Sequence, residues 1–232
     1  RERKRMMYKV GVFVIAHPDD EVMFFLPSLL HLPCEEKQIL SISDGGYQGL
    51  GYKRMKELEK ASALYGAKTV QVINEPRLRD DPQLEWDDQL IAQIIFLYLK
   101  KQASQLDDIA VVSFDAKGAS RHRHHIAVCR GTQLVFQKLN ELQSNFFLYQ
   151  LKTPYPLFRF LGPFYALLYT FPPRQQHNFL LYFNLNFCLS WRIMACYKSQ
   201  FIWYRKLSII FSVFTYTNYL HLASISRASK IK

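Results

Sequence analysis

The 232 residues are 49% hydrophobic and 21% charged, which supplies one substantial core and excludes a disordered chain. The formal net charge of +11 points to an anionic partner, nucleic acid or a membrane surface. No RNP-type run, zinc-finger spacing or basic reading helix accompanies it, so the common nucleic-acid modules are excluded.

Four cysteines without a C-x-x-C pair do not make a disulfide scaffold and suit a reducing compartment. Residues 1–7 begin with Arg1, Glu2, Arg3, Lys4 and Arg5. Such a run is found just after the cytoplasmic end of a membrane helix, and the segment reads as juxtamembrane. No apolar stretch of signal-peptide length separates it from residues 16–21.

Residues 8–16 form an apolar, β-branched run, the pattern of a buried strand. Pro18 suits the turn that follows, and Asp19 or Asp20 is placed to cap a helix over 22–32. A short strand is expected at 38–43, a glycine-rich loop at 44–51, and a helix at 53–65 stopped by Gly66. Further strands are expected at 69–73, 109–114 and 145–151, and helices at 88–101 and 124–142. This alternation predicts an α/β fold, a doubly wound and mainly parallel Rossmann-like sheet of order 3-2-1-4-5. It spans 8–152 as one catalytic domain.

Residues 153–232 break the alternation. Prolines at 154, 156, 163, 172 and 173 interrupt short aromatic segments, too short to span a bilayer. Residues 207–226 are uncharged and near the length of a span, but Asn218, His221 and several Ser and Thr make a poor one. This region reads as an aromatic-rich extension, packed on the domain and facing a membrane.

Chemistry concentrates at Ala16, His17, Pro18, Asp19, Asp20 and Glu21. In an open parallel sheet, ligands bind beyond the carboxyl ends of the strands, where this motif lies. A histidine with a carboxylate three residues on can supply nitrogen and oxygen to one zinc ion. The adjacent carboxylate is then free to take a proton from water. The second constellation is His122, His124 and His125, after the fourth strand and Asp115. Strands 1 and 4 are neighbours in the expected order, so the two clusters face one crevice. His122 and His125 project to similar directions and His124 elsewhere. Arg54 follows the glycine-rich loop; it could hold a phosphate or sugar hydroxyl, or form a surface pair with Glu57. No G-x-S-x-G elbow or catalytic cysteine context occurs.

The Ala-His-Pro-Asp-Asp-Glu motif, the H-x-x-H at His122 and His125, and the R-x-x-E at Arg54 and Glu57 resemble the LmbE-like zinc deacetylases. The loop Asp80-Asp81-Pro82 with Trp86-Asp87 resembles the branch of that family that acts on glycosylphosphatidylinositol precursors. So does the tail, Cys196 to Gln200 and Trp203 to Leu207. The likeness runs from about residue 8 to 220.

The resemblance implies Zn2+ held by His17, Asp20 and His125. It implies Asp19 as general base, and His122 as an imidazolium that stabilises the oxyanion or protonates the leaving amine. Arg54 would contact the inositol phosphate or the sugar. The implied reaction removes the N-acetyl group from a phosphatidylinositol glycolipid at the cytoplasmic face of the endoplasmic reticulum membrane. A soluble deacetylase of a small amino-sugar conjugate and a non-catalytic lipid-binding member are the alternatives. Arg121 and Arg123 flank His122 and are expected to depress its basicity.

Overall fold

The structure is a computed structural model and describes residues 7–103, 107–139, 142, 144–169 and 178–227. The basic residues 1–6 and Pro172 and Pro173 lie outside the described residues.

β1 (Tyr8–Ile15) is buried along almost its whole length. Such a run needs cover on both faces, the condition of a central parallel strand. It pairs in parallel with β2 (Cys34–Ser41) on one side and β4 (Asp108–Phe114) on the other. β3 (Thr69–Val72) continues from β2, and β5 (Asn145–Leu151) from β4, both in parallel. The expected order 3-2-1-4-5 is therefore present, with its reversal between β1 and β4.

The chain does not stop there. β6 (Phe179–Phe183) and β7 (Thr217–Ser226) add two antiparallel strands, completing a seven-strand sheet of order β3-β2-β1-β4-β5-β7-β6. Much of the uncharged stretch at 207–226 is thus sheet, and the extension continues the sheet rather than only lying against it.

The expected helix at 22–32 is two helices, α1 (Asp20–Phe24) and α2 (Leu26–His31), which part at Phe25. Pro27 explains the restart: it lacks an N–H and suits only the first turn of a helix. α3 (Gly51–Tyr65) ends on left-handed Gly66, as expected. α4 (Asp88–Gln102) and α6 (Arg123–Phe136) pack against each other. A short α5 (Gly118–Arg121) precedes α6. α7 (Gly162–Tyr169), α8 (Phe187–Met194), α9 (Trp203–Phe211) and α10 (Val213–Tyr216) belong to the C-terminal part. Among the described residues no helix is long and apolar enough to cross a membrane.

The α4–α6 contact depends on Gly131. A Cβ there would lie 2.5 Å from Ile91 Cγ2 and 3.2 Å from the Asp88 carbonyl. Gly131→Ala is expected to cost about 1–3 kcal/mol through overpacking, at roughly 2–4 °C of melting temperature per kcal/mol. Thermal unfolding followed by circular dichroism reads this. An unchanged midpoint would show that the two helices can separate freely.

Candidate metal centre

The motif His17 to Glu21 leaves β1 at its carboxyl end, beside the end of β4. The turn is tight. Asp19 has φ 103°, a left-handed value for a non-glycine residue, which costs on the order of 1–3 kcal/mol and marks functional turns. Asp19 sits at the N-cap of α1 but makes no side-chain cap bond. Asp20 secures the turn instead: its Oδ2 accepts from the backbone N–H groups of Ala16 (3.1 Å) and His17 (2.8 Å).

His17, Asp20 and His125 are all buried, with donor atoms within 4.8 Å of one another. Their hydrogen bonds fix which nitrogens face inward. His125 Nδ1 lies 2.9 Å from the Gly118 carbonyl and must donate to it, so Nε2 carries the lone pair. That nitrogen is 3.1 Å from Asp20 Oδ1. His124 Nε2 lies 3.3 Å from the Leu84 carbonyl, which makes its Nδ1 the acceptor for His17 Nε2 at 3.0 Å. His17 Nδ1 is then left facing Asp20 Oδ2 at 3.5 Å. Two imidazole nitrogens thus converge on one buried carboxylate, an arrangement that a cation, either a proton or a metal ion, satisfies.

The charge balance agrees. Burial opposes the charged form of His17, but the carboxylates of Asp20 and Asp80 outweigh it and raise its pKa. Burial opposes ionisation of Asp20 too, yet His125 and His17 hold its pKa well down. A positive charge is favoured here. The nitrogen and oxygen donors suit a borderline ion such as zinc. A second group, His17, His122 and His124, is also close enough to share an ion. It is the poorer holder. His124 Nδ1 is taken by His17, and His122 Nδ1, as N-cap of α6, accepts from the His124 backbone N–H at 3.3 Å.

His122 lines the same cavity. Burial, then His125 and His17, lower its pKa to about 4, which favours the neutral ring near pH 7 over the expected imidazolium. With Nδ1 accepting, Nε2 carries the proton and can donate as a neutral imidazole. Burial, not the flanking Arg121 and Arg123, is the largest cause of the shift. His124 is not part of the cavity lining; its ring stacks on Trp86 at 4.0 Å between centroids and 5° between planes. Burial, with His17 next, lowers its pKa to about 4 as well.

Arg54 is buried and is not a surface partner of Glu57. Its guanidinium donates to Asp19 Oδ1 (3.0 Å), to the carbonyls of Pro18 and Gly45, and to Asp80 Oδ2 (3.4 Å). Gly45, at φ 66°, makes room; a Cβ there would collide with that guanidinium. Arg54 therefore clamps Asp19 against the loop that carries Asp80. Glu57, one turn along α3, accepts from the backbone N–H (2.9 Å) and hydroxyl of Ser199, tying α3 to the C-terminal segment.

Sequence reasoning assigned no role to Asp80, although the Asp80-Asp81-Pro82 run was visible. Asp80 Oδ1 is 3.3 Å from His17 Nε2, the position from which an outer carboxylate can orient a metal-binding histidine. It also missed Arg205, whose guanidinium pairs with Asp19 Oδ2, and Tyr197, whose hydroxyl donates to Glu21 Oε1 at 2.5 Å. Burial raises the Glu21 carboxyl to about 8.

A cavity of about 330 Å³ opens over these groups, within the range of small-ligand pockets. His17, Asp19, Asp20, His122 and His125 line it on one side; Arg159, Phe160, Tyr204 and Arg205, from the C-terminal part, line it on the other.

The sequence profile of the GlcNAc-PI de-N-acetylase (PIG-L) family matches residues 12–136. The chain is 28% identical over 228 residues to the N-acetylglucosaminyl-phosphatidylinositol de-N-acetylase of Bos taurus, covering 90% of this chain and 82% of that protein. It is 28% identical over 251 residues to a probable enzyme of the same name from Dictyostelium discoideum, covering 94% and 95%. Among solved structures it resembles the N,N'-diacetylchitobiose deacetylase of Pyrococcus horikoshii, with a TM-score of 0.60 at 16% identity over 86% of this chain and 76% of that one. A profile that runs from the first strand through the second histidine cluster takes in both halves of the cavity floor, and on that match the chain belongs to the GlcNAc-PI de-N-acetylase (PIG-L) family.

Proposed function

We propose that the chain hydrolyses the acetamide of N-acetylglucosaminyl-phosphatidylinositol, giving glucosaminyl-phosphatidylinositol and acetate. The observation that carries this reading is the convergence of two imidazole nitrogens on Asp20, with the carboxylate of Asp19 beside them in one cavity. The names of the relatives supply the substrate.

In this reading His17, Asp20 and His125 hold a divalent cation, zinc by the chemistry of its ligands. When bound, it supplies a Lewis acid for the amide carbonyl and for the attacking water. Asp19 accepts a proton as the water oxygen forms its bond to the carbonyl carbon. Neutral His122 donates its Nε2–H toward the oxygen that gains negative charge. The carbon–nitrogen bond then breaks, Asp19 passes its proton to the departing amine, and acetate leaves. Arg54 orients Asp19 and borders the space for the sugar.

The aromatic C-terminal part is the membrane side in this reading, with 1–7 as a juxtamembrane segment and the cytoplasmic face of the endoplasmic reticulum as the location. Trp203, Tyr204, Leu207 and Phe211 on α9 are exposed. Tyr155, Leu157, Phe160 and Phe164 are exposed around the start of α7. Such residues beside Arg and Lys suit a headgroup region, and the net charge of +11 suits anionic lipid. That face disfavours a soluble enzyme for small conjugates.

The test is release of acetate from the glycolipid in anionic vesicles by the purified chain, with co-sedimentation measured on the same vesicles. Acetate release that a chelator abolishes and added zinc restores is expected, with the protein in the vesicle pellet. Chelator-resistant release would remove the metal from the reading, and failure to pellet would remove the membrane face.

A further inference from the structure

Two arginines of the C-terminal part border the cavity, and the hydrolytic groups already named do not explain them. Arg159 follows the short helical turn at Pro156–Phe158, and its backbone carbonyl accepts from the Val213 N–H at 2.9 Å, so it is anchored at the junction of α9 and α10. Its Nε is buried without a hydrogen-bond partner. Burial, then the charge of Arg121, lowers its pKa. Among the described residues no carboxylate is within salt-bridge distance of it. A partly buried guanidinium in that state lacks an anion.

Arg205 stands on α9, one helical turn before the cavity-lining Ser208. Its partner is Asp19, the carboxylate that has to be free to accept a proton. Asp19 does not need Arg205 to stay in place, because Arg54 already holds its other oxygen.

We propose that Arg159 and Arg205 are the phosphodiester-binding residues of this cavity, and that Arg205 leaves Asp19 when it takes the phosphate. This rests on the glycolipid reading above. In that substrate the sugar carries the amide and the inositol ring links the sugar to the phosphate. With the amide on the cavity floor, the phosphodiester is carried toward the wall that holds the arginines. Guanidinium is the side chain best matched to phosphate oxygens. Arrival of the phosphate removes the cation from Asp19 Oδ2, so the base is released only when the phosphorylated substrate is in place. Discrimination against phosphate-free amino sugars follows from the same movement.

The experiment uses the zinc-loaded full chain and its Arg159→Ala, Arg159→Lys, Arg205→Ala and Arg205→Lys variants. Calorimetry measures binding of glycerophosphoinositol, a soluble phosphodiester, with inorganic phosphate as comparison. Each alanine variant is expected to weaken glycerophosphoinositol binding by about tenfold or more, with the lysine variants between. Kinetics then compare kcat/KM for the glycolipid with that for N-acetylglucosaminyl-inositol, which lacks the phosphate. The ratio is expected to fall about tenfold or more in both alanine variants. Only Arg205→Ala is expected to raise kcat on the phosphate-free compound. Lysine variants that keep the wild-type melting temperature separate the effect from misfolding. Binding and ratios unchanged in all four variants would overturn the proposal, as would equal affinity for inorganic phosphate and the phosphodiester. Arginine-dependent binding without any hydrolysis would overturn the deacetylase reading and leave the phosphodiester site standing.

Discussion

Asp19→Asn is expected to lower kcat for amide hydrolysis by about 10²–10⁴-fold, the range for loss of a positioned general base. The substitution is nearly isosteric. Asparagine tolerates left-handed backbone better than most residues, so the turn at φ 103° is not the casualty. Arg54 keeps the carbonyls of Pro18 and Gly45 and the carboxylate of Asp80. The oxygen of the introduced amide can still accept from it. The chain should therefore fold, bind its metal and bind substrate, and fail in proton transfer. The measurement is kcat and KM on the glycolipid, with metal content and circular dichroism on the same preparation. A metal-loaded variant that turns over normally would remove Asp19 from the base role, and the Arg205 latch with it.

A second large effect is expected at His125. His125→Ala deletes a nitrogen whose lone pair is aimed at Asp20 by the Gly118 carbonyl. Loss of orienting groups around a metal ligand already costs about 10–100-fold in affinity, so loss of the ligand itself should cost at least that. Activity should fall with it. His124→Ala is the informative companion. The two candidate groups share only His17: one adds His122 and His124, the other Asp20 and His125. Equilibrium dialysis with zinc should show His125→Ala nearly empty and His124→Ala still loaded. The reverse result would place the ion among His17, His122 and His124.

The core of the fold was readable because burial on both faces leaves an unbroken apolar run. Tyr8–Ile15 is such a run, and its position as the central strand fixes the crevice beyond it. Two of the helices were equally plain: 53–65 and 88–101 are observed as Gly51–Tyr65 and Asp88–Gln102. The strand at 38–43 begins earlier, at Cys34, because Glu35 and Lys37 mask the strand pattern at its start. The helix at 124–142 stops at Phe136, where Gln137 and Lys138 turn to bonds with Leu134 and Val135. The edge strand Phe179–Phe183 was not anticipated, since a five-residue apolar run carries no period that separates strand from helix.

The site was legible wherever its members are close in sequence. His17, Asp19, Asp20, His122 and His125 line one cavity, as the two motifs and their strands imply. Its outer members were hidden by distance along the chain. Arg205 lies far from Asp19 in sequence, Tyr197 stands 176 residues from Glu21, and Ser199 stands 142 from Glu57. Nothing local marks such a pairing. His124 points elsewhere than His122 and His125, as expected: those two line the cavity, while its ring stacks on Trp86.

The antiparallel pairing of β5 with β7 has a consequence for biosynthesis. Strands β1 to β5 leave the ribosome first and form a parallel core whose last strand, Asn-Phe-Phe-Leu-Tyr-Gln-Leu, has no neighbour on its outer side. That edge stays open until residues 217–226 have been made. An apolar, unpaired edge invites pairing with other chains. The nascent protein thus has a vulnerable interval that ends only when its final strand arrives, and a chain cut after residue 152 would never leave it. Such a truncated chain is expected to be recovered as aggregate in size-exclusion chromatography, and a monomeric, folded fragment would show that the edge protects itself.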